Sequence, residues 1–148
     1  MKVAEKLTQN LMARKKKILI VDDDLGSLSL LQTILKQEKY EVVESTAADD
    51  ALALLEHEAV DLVISDIRMP GMSGIEFLDE LREWDMDLPV IFISGKGTDR
   101  EWARVVQSSA SDILEKPFKK AALLKAVHKA FHQNGSSPKA LAEDSLDF

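Results

Sequence analysis

Four short apolar runs recur along the chain, each followed by a segment whose apolar residues fall at helical spacing. The runs are Ile18-Leu19-Ile20-Val21, Tyr40-Glu41-Val42-Val43, Leu62-Val63-Ile64 and Val90-Ile91-Phe92-Ile93, and a weaker fifth is Ile113-Leu114. Most are apolar at consecutive positions rather than at alternate ones. A strand of that kind has no polar face to give to water, so it belongs in a sheet covered on both sides, the habit of parallel sheets with helical crossovers. The intervening stripes are Leu28, Leu31 and Leu35, then Ala51, Leu54 and Leu55, then Ile75, Leu78 and Leu81. Trp102, Val105 and Val106 follow, and Leu123, Leu124, Val127 and Phe131 close the series. Each stripe predicts a helix with one buried face. The chain reads as β-α repeated five times.

Right-handed crossovers distribute such helices over both faces of the sheet. By analogy, five units match the flavodoxin-like, doubly wound α/β fold, a five-stranded parallel sheet in the order 2-1-3-4-5. Ligands of open sheets bind beyond the carboxyl ends of the strands, beside the point where the strand order reverses. The loops after strands one, three and four are therefore expected to hold the chemistry. The flanks differ from this pattern. Residues 1–15 are polar apart from Val3, Leu7 and Leu11 and read as an N-terminal arm, and residues 134–148 open with Asn-Gly-Ser-Ser-Pro and read as a C-terminal tail or linker. The span 16–133 is left as one domain.

Composition narrows the function. A length of 148 residues with 45% apolar content suits a single hydrophobic core. No apolar stretch approaches the roughly 20 residues that cross a bilayer, and the N-terminus lacks a secretory block, so no membrane insertion and a cytoplasmic location are expected. Absence of cysteine excludes disulfides and thiolate metal sites. A net charge of −7 opposes direct nucleic acid binding. The basic run Arg14-Lys15-Lys16-Lys17 reads as a solvated entry to the first strand.

The polar residues at the strand ends carry the chemistry. The first strand ends in Asp22-Asp23-Asp24, the third in Asp66 and the fourth in Ser94, and Lys116-Pro117 follows the fifth. In the expected fold these ends converge. Neighbouring carboxylates repel one another unless a cation sits among them, and an oxygen-only ligand set points to Mg2+. Such an ion takes one or two carboxylates together with phosphate oxygens, which suits phosphoryl transfer to a carboxylate. The acyl phosphate so formed needs positive charge and hydrogen-bond donors around its oxygens, here the ion, Lys116 and the hydroxyl of Ser94.

Four stretches resemble the receiver domains of bacterial response regulators, of which the chemotaxis response regulator is the minimal example. They are Ile18-Leu19-Ile20-Val21-Asp22-Asp23-Asp24, Ser65-Asp66-Ile67-Arg68-Met69-Pro70-Gly71-Met72-Ser73-Gly74, Ile93-Ser94-Gly95-Lys96 and Asp112-Ile113-Leu114-Glu115-Lys116-Pro117-Phe118. The resemblance covers residues 16 to about 132 and implies a role for each position. Asp66 would be the phosphoryl acceptor. Asp23 and Asp66, the main-chain carbonyl of Arg68, and Asp22 through water would hold Mg2+. Ser94 would turn toward the phosphoryl group, Lys116 would pair with it, and Gly95 would keep the site open. The Lys116-Pro117 bond would be cis. The donor would be the phosphohistidine of a histidine kinase or phosphotransfer protein. The chain would then be a signalling receiver rather than an enzyme, promoting its own phosphorylation and autodephosphorylation. Output would pass through the face of the fourth helix, fifth strand and fifth helix, either to a protein target or to a phosphorylation-dependent homodimer.

Departures from the family pattern matter as well. Ile113 stands where receivers usually carry Tyr or Phe, whose ring rotates on phosphorylation, so the readout is expected to fall on the loop around Gly95, Lys96 and Gly97. Ser109 replaces a common glycine. Arg68 and Lys96 flank the entrance for water and are expected to shield the acyl phosphate. Another class of function, a haloacid dehalogenase-type phosphohydrolase, would use Asp22 as nucleophile and Asp24 as acid/base, but it leaves Asp66 and its loop without a role. His128 and His132, one helical turn apart, read as surface residues, and Trp84 and Trp102 as packing residues at helix ends, with an interface anchor as a second reading for Trp102.

Overall fold

The computed structural model describes residues 15–84, 86–95 and 110–132. Five strands, β1 (Lys17–Val21), β2 (Glu41–Ser45), β3 (Leu62–Asp66), β4 (Val90–Ser94) and β5 (Asp112–Glu115), pair in parallel in the order β2-β1-β3-β4-β5. Four helices are described: α1 (Leu25–Gln37), α2 (Ala48–Leu55), α3 (Gly74–Glu83) and α4 (Lys120–His132). The order is the expected one. The helix expected around Trp102, Val105 and Val106 lies outside the described residues, as do Lys96, Gly97, Ser109, residues 1–14 and residues 133–148.

Why the strands are apolar throughout follows from their two neighbours. Ile18, Ile20, Leu62, Ile64, Ile91 and Ile93 pack with α1 and α4 on one side of the sheet. Their sequence neighbours Leu19, Val21, Val63, Val90 and Phe92 pack with α2 and α3 on the other. Side chains alternate across a strand, so only a strand apolar at every position can serve two layers.

The edge strand departs from its expected bounds. Its apolar run is Tyr40–Val43, whereas the strand runs from Glu41 to Ser45. Tyr40 is held by the end of α1: its amide donates to the Leu35 carbonyl (3.1 Å), and that of Lys39 donates to Lys36 (2.9 Å). These paired bonds, with Lys39 at φ 68°, form a left-handed helix stop. An edge position also lets Glu41 and Glu44 face water, which breaks the apolar run.

Candidate functional site

Register brings the polar strand ends together. Val21 pairs with Ser45 and with Ser65, so the next residues, Asp22 and Asp66, leave neighbouring strands at the same level. Asp66 pairs with Ile93, which puts Ser94 one step beyond it. Lys116 follows β5, and its amide donates to the Ser94 carbonyl (2.6 Å). The Lys116-Pro117 bond is cis, as expected.

Asp22 is 1% exposed. Its Oδ1 accepts from the Asp24 amide (2.9 Å), and its Oδ2 accepts from Lys116 Nζ (2.9 Å). The same ammonium lies 3.5 Å from Asp66 Oδ2 and donates to Ser27 Oγ (3.3 Å). The Arg68 amide donates to Asp66 Oδ1 (3.3 Å). Asp22, Asp23 and Asp66 each offer an oxygen, all within 4.8 Å of one another. Three carboxylates with no nitrogen or sulfur donor fit a hard divalent ion such as Mg2+.

Charges inside this cluster perturb one another. Burial, and then the charge of Asp22, push the Asp66 carboxyl above its usual range against the opposing pull of Lys116 and the Arg68 and Ile67 amides. Burial pulls the Lys116 ammonium down, but its hydrogen bond to Asp22 and the charges of Asp66 and Asp22 outweigh it, so the group titrates above its usual value. The hydroxyl of Ser94, fully buried, donates to the Gly95 carbonyl (2.9 Å).

Asp24 does not join the acid cluster with which the sequence grouped it. Its side chain caps α1, accepting from the Ser27 amide (3.2 Å) and hydroxyl (2.8 Å). These bonds hold its carboxyl below the ordinary range. Nor did sequence reasoning single out Ser27. The available signal was Asp24-Leu25-Gly26-Ser27, an N-cap acid three residues ahead of a hydroxyl.

The loop after Asp66 uses its two glycines differently. Gly71 turns with φ 78°. Gly74 opens α3 so close to β3 that a Cβ there would collide with the Asp66 carbonyl oxygen and crowd Ile67 Cα and the Phe92 ring. Ser73 and Glu76 complete a reciprocal capping box that fixes this entry.

Residues 18–128 match the profile of the response regulator receiver domain. The chain belongs to that family. Receiver domains are signalling domains of two-component systems, and they interact with histidine kinases. The transcriptional regulatory protein GlrR of Escherichia coli K12 is 37% identical over 117 residues, which are 79% of this chain and 26% of the relative. The two-component response regulator ARR14 of Arabidopsis thaliana is 38% identical over 105 residues, 70% of this chain and 28% of the relative. The chain thus spans about a quarter of the length of these two relatives. Among solved structures, the signal receiver domain of an HD domain-containing protein from Pseudomonas fluorescens Pf-5 superposes with a TM-score of 0.78 at 29% identity, covering 84% of this chain and all of that one. The chemotaxis protein CheY4 of Vibrio cholerae gives 0.73 at 27% identity over 79% of this chain and 99% of its own.

Within this receiver domain the hydrolase reading finds no support. Asp22, its nucleophile, is buried against Lys116, and Asp24, its acid/base, is occupied by the α1 cap. No helix among the described residues is long and apolar enough to cross a membrane.

Proposed function

We propose that Asp66 accepts a phosphoryl group from the phosphohistidine of a histidine kinase or phosphotransfer protein, and that the charged receiver then signals to a protein partner. The observation that carries this reading is the convergence of Lys116 on Asp22 and Asp66 beside a three-carboxylate oxygen set. An Asp66 carboxylate oxygen forms a bond to phosphorus as the bond from phosphorus to the donor imidazole nitrogen breaks, and the imidazole leaves with the electron pair. Burial beside Asp22 leaves the Asp66 carboxylate under-solvated, which favours attack. Asp23 and Asp66, with the Arg68 carbonyl and with Asp22 through water, would hold Mg2+, which when bound supplies positive charge to the phosphoryl oxygens. Lys116 exchanges a carboxylate contact for a phosphoryl oxygen, and Ser94 exchanges the Gly95 carbonyl for another. Autodephosphorylation is the attack of water on the same phosphorus as its bond to the Asp66 oxygen breaks, and the side chain of Arg68, two positions on, shields the acyl phosphate from that water.

The partner-binding face comprises β5 and α4 together with the helix expected around Trp102, which lies outside the described residues, and it also suits a phosphorylation-dependent homodimer. Ile113 of β5, half-buried against the α2 and α3 layer, offers no ring to rotate, so the readout falls on Gly95 with Lys96 and Gly97, the last two lying outside the described residues. Residues 16–133 form the receiver domain, flanked by an arm and a tail, and the setting is cytoplasmic.

Incubation with acetyl phosphate and Mg2+, followed by intact mass analysis, tests the acceptor. One acid-stable, base-labile phosphoryl group is expected on the native protein and none on Asp66→Asn. A group that survives this substitution but is lost in Asp22→Asn would sink the proposal.

A further inference from the structure

The Lys116 ammonium has three N–H donors, and three acceptors surround it: Asp22 Oδ2 at 2.9 Å, Ser27 Oγ at 3.3 Å and Asp66 Oδ2 at 3.5 Å. The second belongs to α1 rather than to a strand end, and neither the expected ligand set nor the proposed transfer uses it. Its hydrogen-bond direction is fixed by its neighbours. An ammonium can only donate and an ionised carboxylate can only accept, so the Ser27 hydroxyl gives its proton to Asp24 Oδ2 (2.8 Å) and turns a lone pair to Lys116. The Ser27 amide binds the same Asp24 oxygen (3.2 Å), which clamps the hydroxyl at the first turn of α1.

We infer that Ser27, oriented by Asp24, is a positioning residue that holds Lys116 in its resting place between Asp22 and Asp66. A neutral acceptor here takes one N–H away from the carboxylates. Without it that N–H turns to Asp22, to Asp66 or to water, and the ammonium lies less fixed and closer to the oxygens that a divalent cation needs. The helix cap and the charge cluster thereby become one hydrogen-bonded chain, from Asp24 through Ser27 and Lys116 to Asp66.

The first readout needs no phosphorylation, so it stands apart from the phosphoacceptor reading on which the kinetic part rests. In 15N-labelled protein, Ser27→Ala should shift the Lys116 ammonium resonance and speed its proton exchange. Calorimetric titration with MgCl2 should show affinity reduced by about threefold or more, because the ammonium and the cation compete for the same oxygens. Ser27→Thr, which keeps the hydroxyl, should restore both, as loss of α1 structure alone would not require. Uptake from acetyl phosphate should slow in Ser27→Ala and recover in Ser27→Thr. An unchanged ammonium signal and Mg2+ affinity in folded Ser27→Ala would overturn the inference, and so would failure of Ser27→Thr to restore them. Native protein that takes up no phosphate while the ammonium responds to Ser27→Ala would instead refute the phosphoacceptor reading.

Discussion

Asp66 receives a hydrogen bond from the Arg68 amide and faces an ammonium, yet burial and the charge of Asp22 win, and its carboxyl titrates above the ordinary range. A raised folded-state value means that ionisation is harder in the native protein than in the unfolded chain. The stabilising contribution is therefore complete below the unfolded value, about 3.9, and is lost as pH rises through the folded one. With divalent cations chelated, Asp66→Asn should melt above the native protein at pH 7, and the gap should close as pH falls below about 4. Thermal unfolding followed by circular dichroism at the two pH values checks this. Equal melting temperatures at pH 7 would show that Lys116 fully offsets the burial of Asp66. The placement of Asp22, Asp23, Asp66, Ser94 and Lys116 at the strand ends was legible in the sequence because each closes or follows an apolar run at the end where parallel strands open. The cap formed by Asp24 and its bond to Ser27 were not, because they depend on which residue starts α1, and an Asp triplet offers three choices.

Helix ends decide much of the local architecture around this site. The stop after α1 puts Lys39 at φ 68°, a conformation that costs a side-chain-bearing residue about 1 kcal/mol and glycine almost nothing. Lys39→Gly should raise stability by about 0.5–1 kcal/mol in urea titrations, with no change in phosphoryl uptake. Gly74 works in the opposite sense, since its missing Cβ lets α3 sit against the Asp66 carbonyl. Gly74→Ala should destabilise by about 2 kcal/mol or more and slow phosphoryl uptake, because the backbone it displaces carries the acceptor. The mass assay and urea midpoint together test that pairing. Periodicity revealed the helices themselves: Leu28, Leu31 and Leu35, or Ile75, Leu78 and Leu81, are buried as their spacing implied. The bounds of β2 were less legible, since Tyr40 looks like a strand residue and is claimed by a helix stop that no hydrophobic pattern encodes.

At the scale of the whole molecule, the sheet gathers charges that the chain keeps far apart. Lys116 and Asp22 are 94 positions from one another in sequence, and Asp22 has a side chain only 2% exposed. Removing its cation strands a buried charge. Lys116→Ala should cost about 2 kcal/mol, below the cost for a fully buried pair because the lysine is partly solvated. Added Mg2+ should recover most of that loss by bringing positive charge back beside Asp22 and Asp66, and melting curves with and without MgCl2 measure both effects. A loss that Mg2+ does not reduce would mean that the lysine acts through packing rather than charge.

The positions of these residues along the chain set the order in which the site's parts appear during synthesis. Asp66 leaves the ribosome before Lys116 has been translated, and the long crossovers of a parallel sheet must close before the two can meet. Under the proposed function, a nascent or half-folded chain holds an acceptor without its lysine. The complete constellation then arrives only when β5 docks, so charging through Lys116 reports that the last strand has joined the sheet.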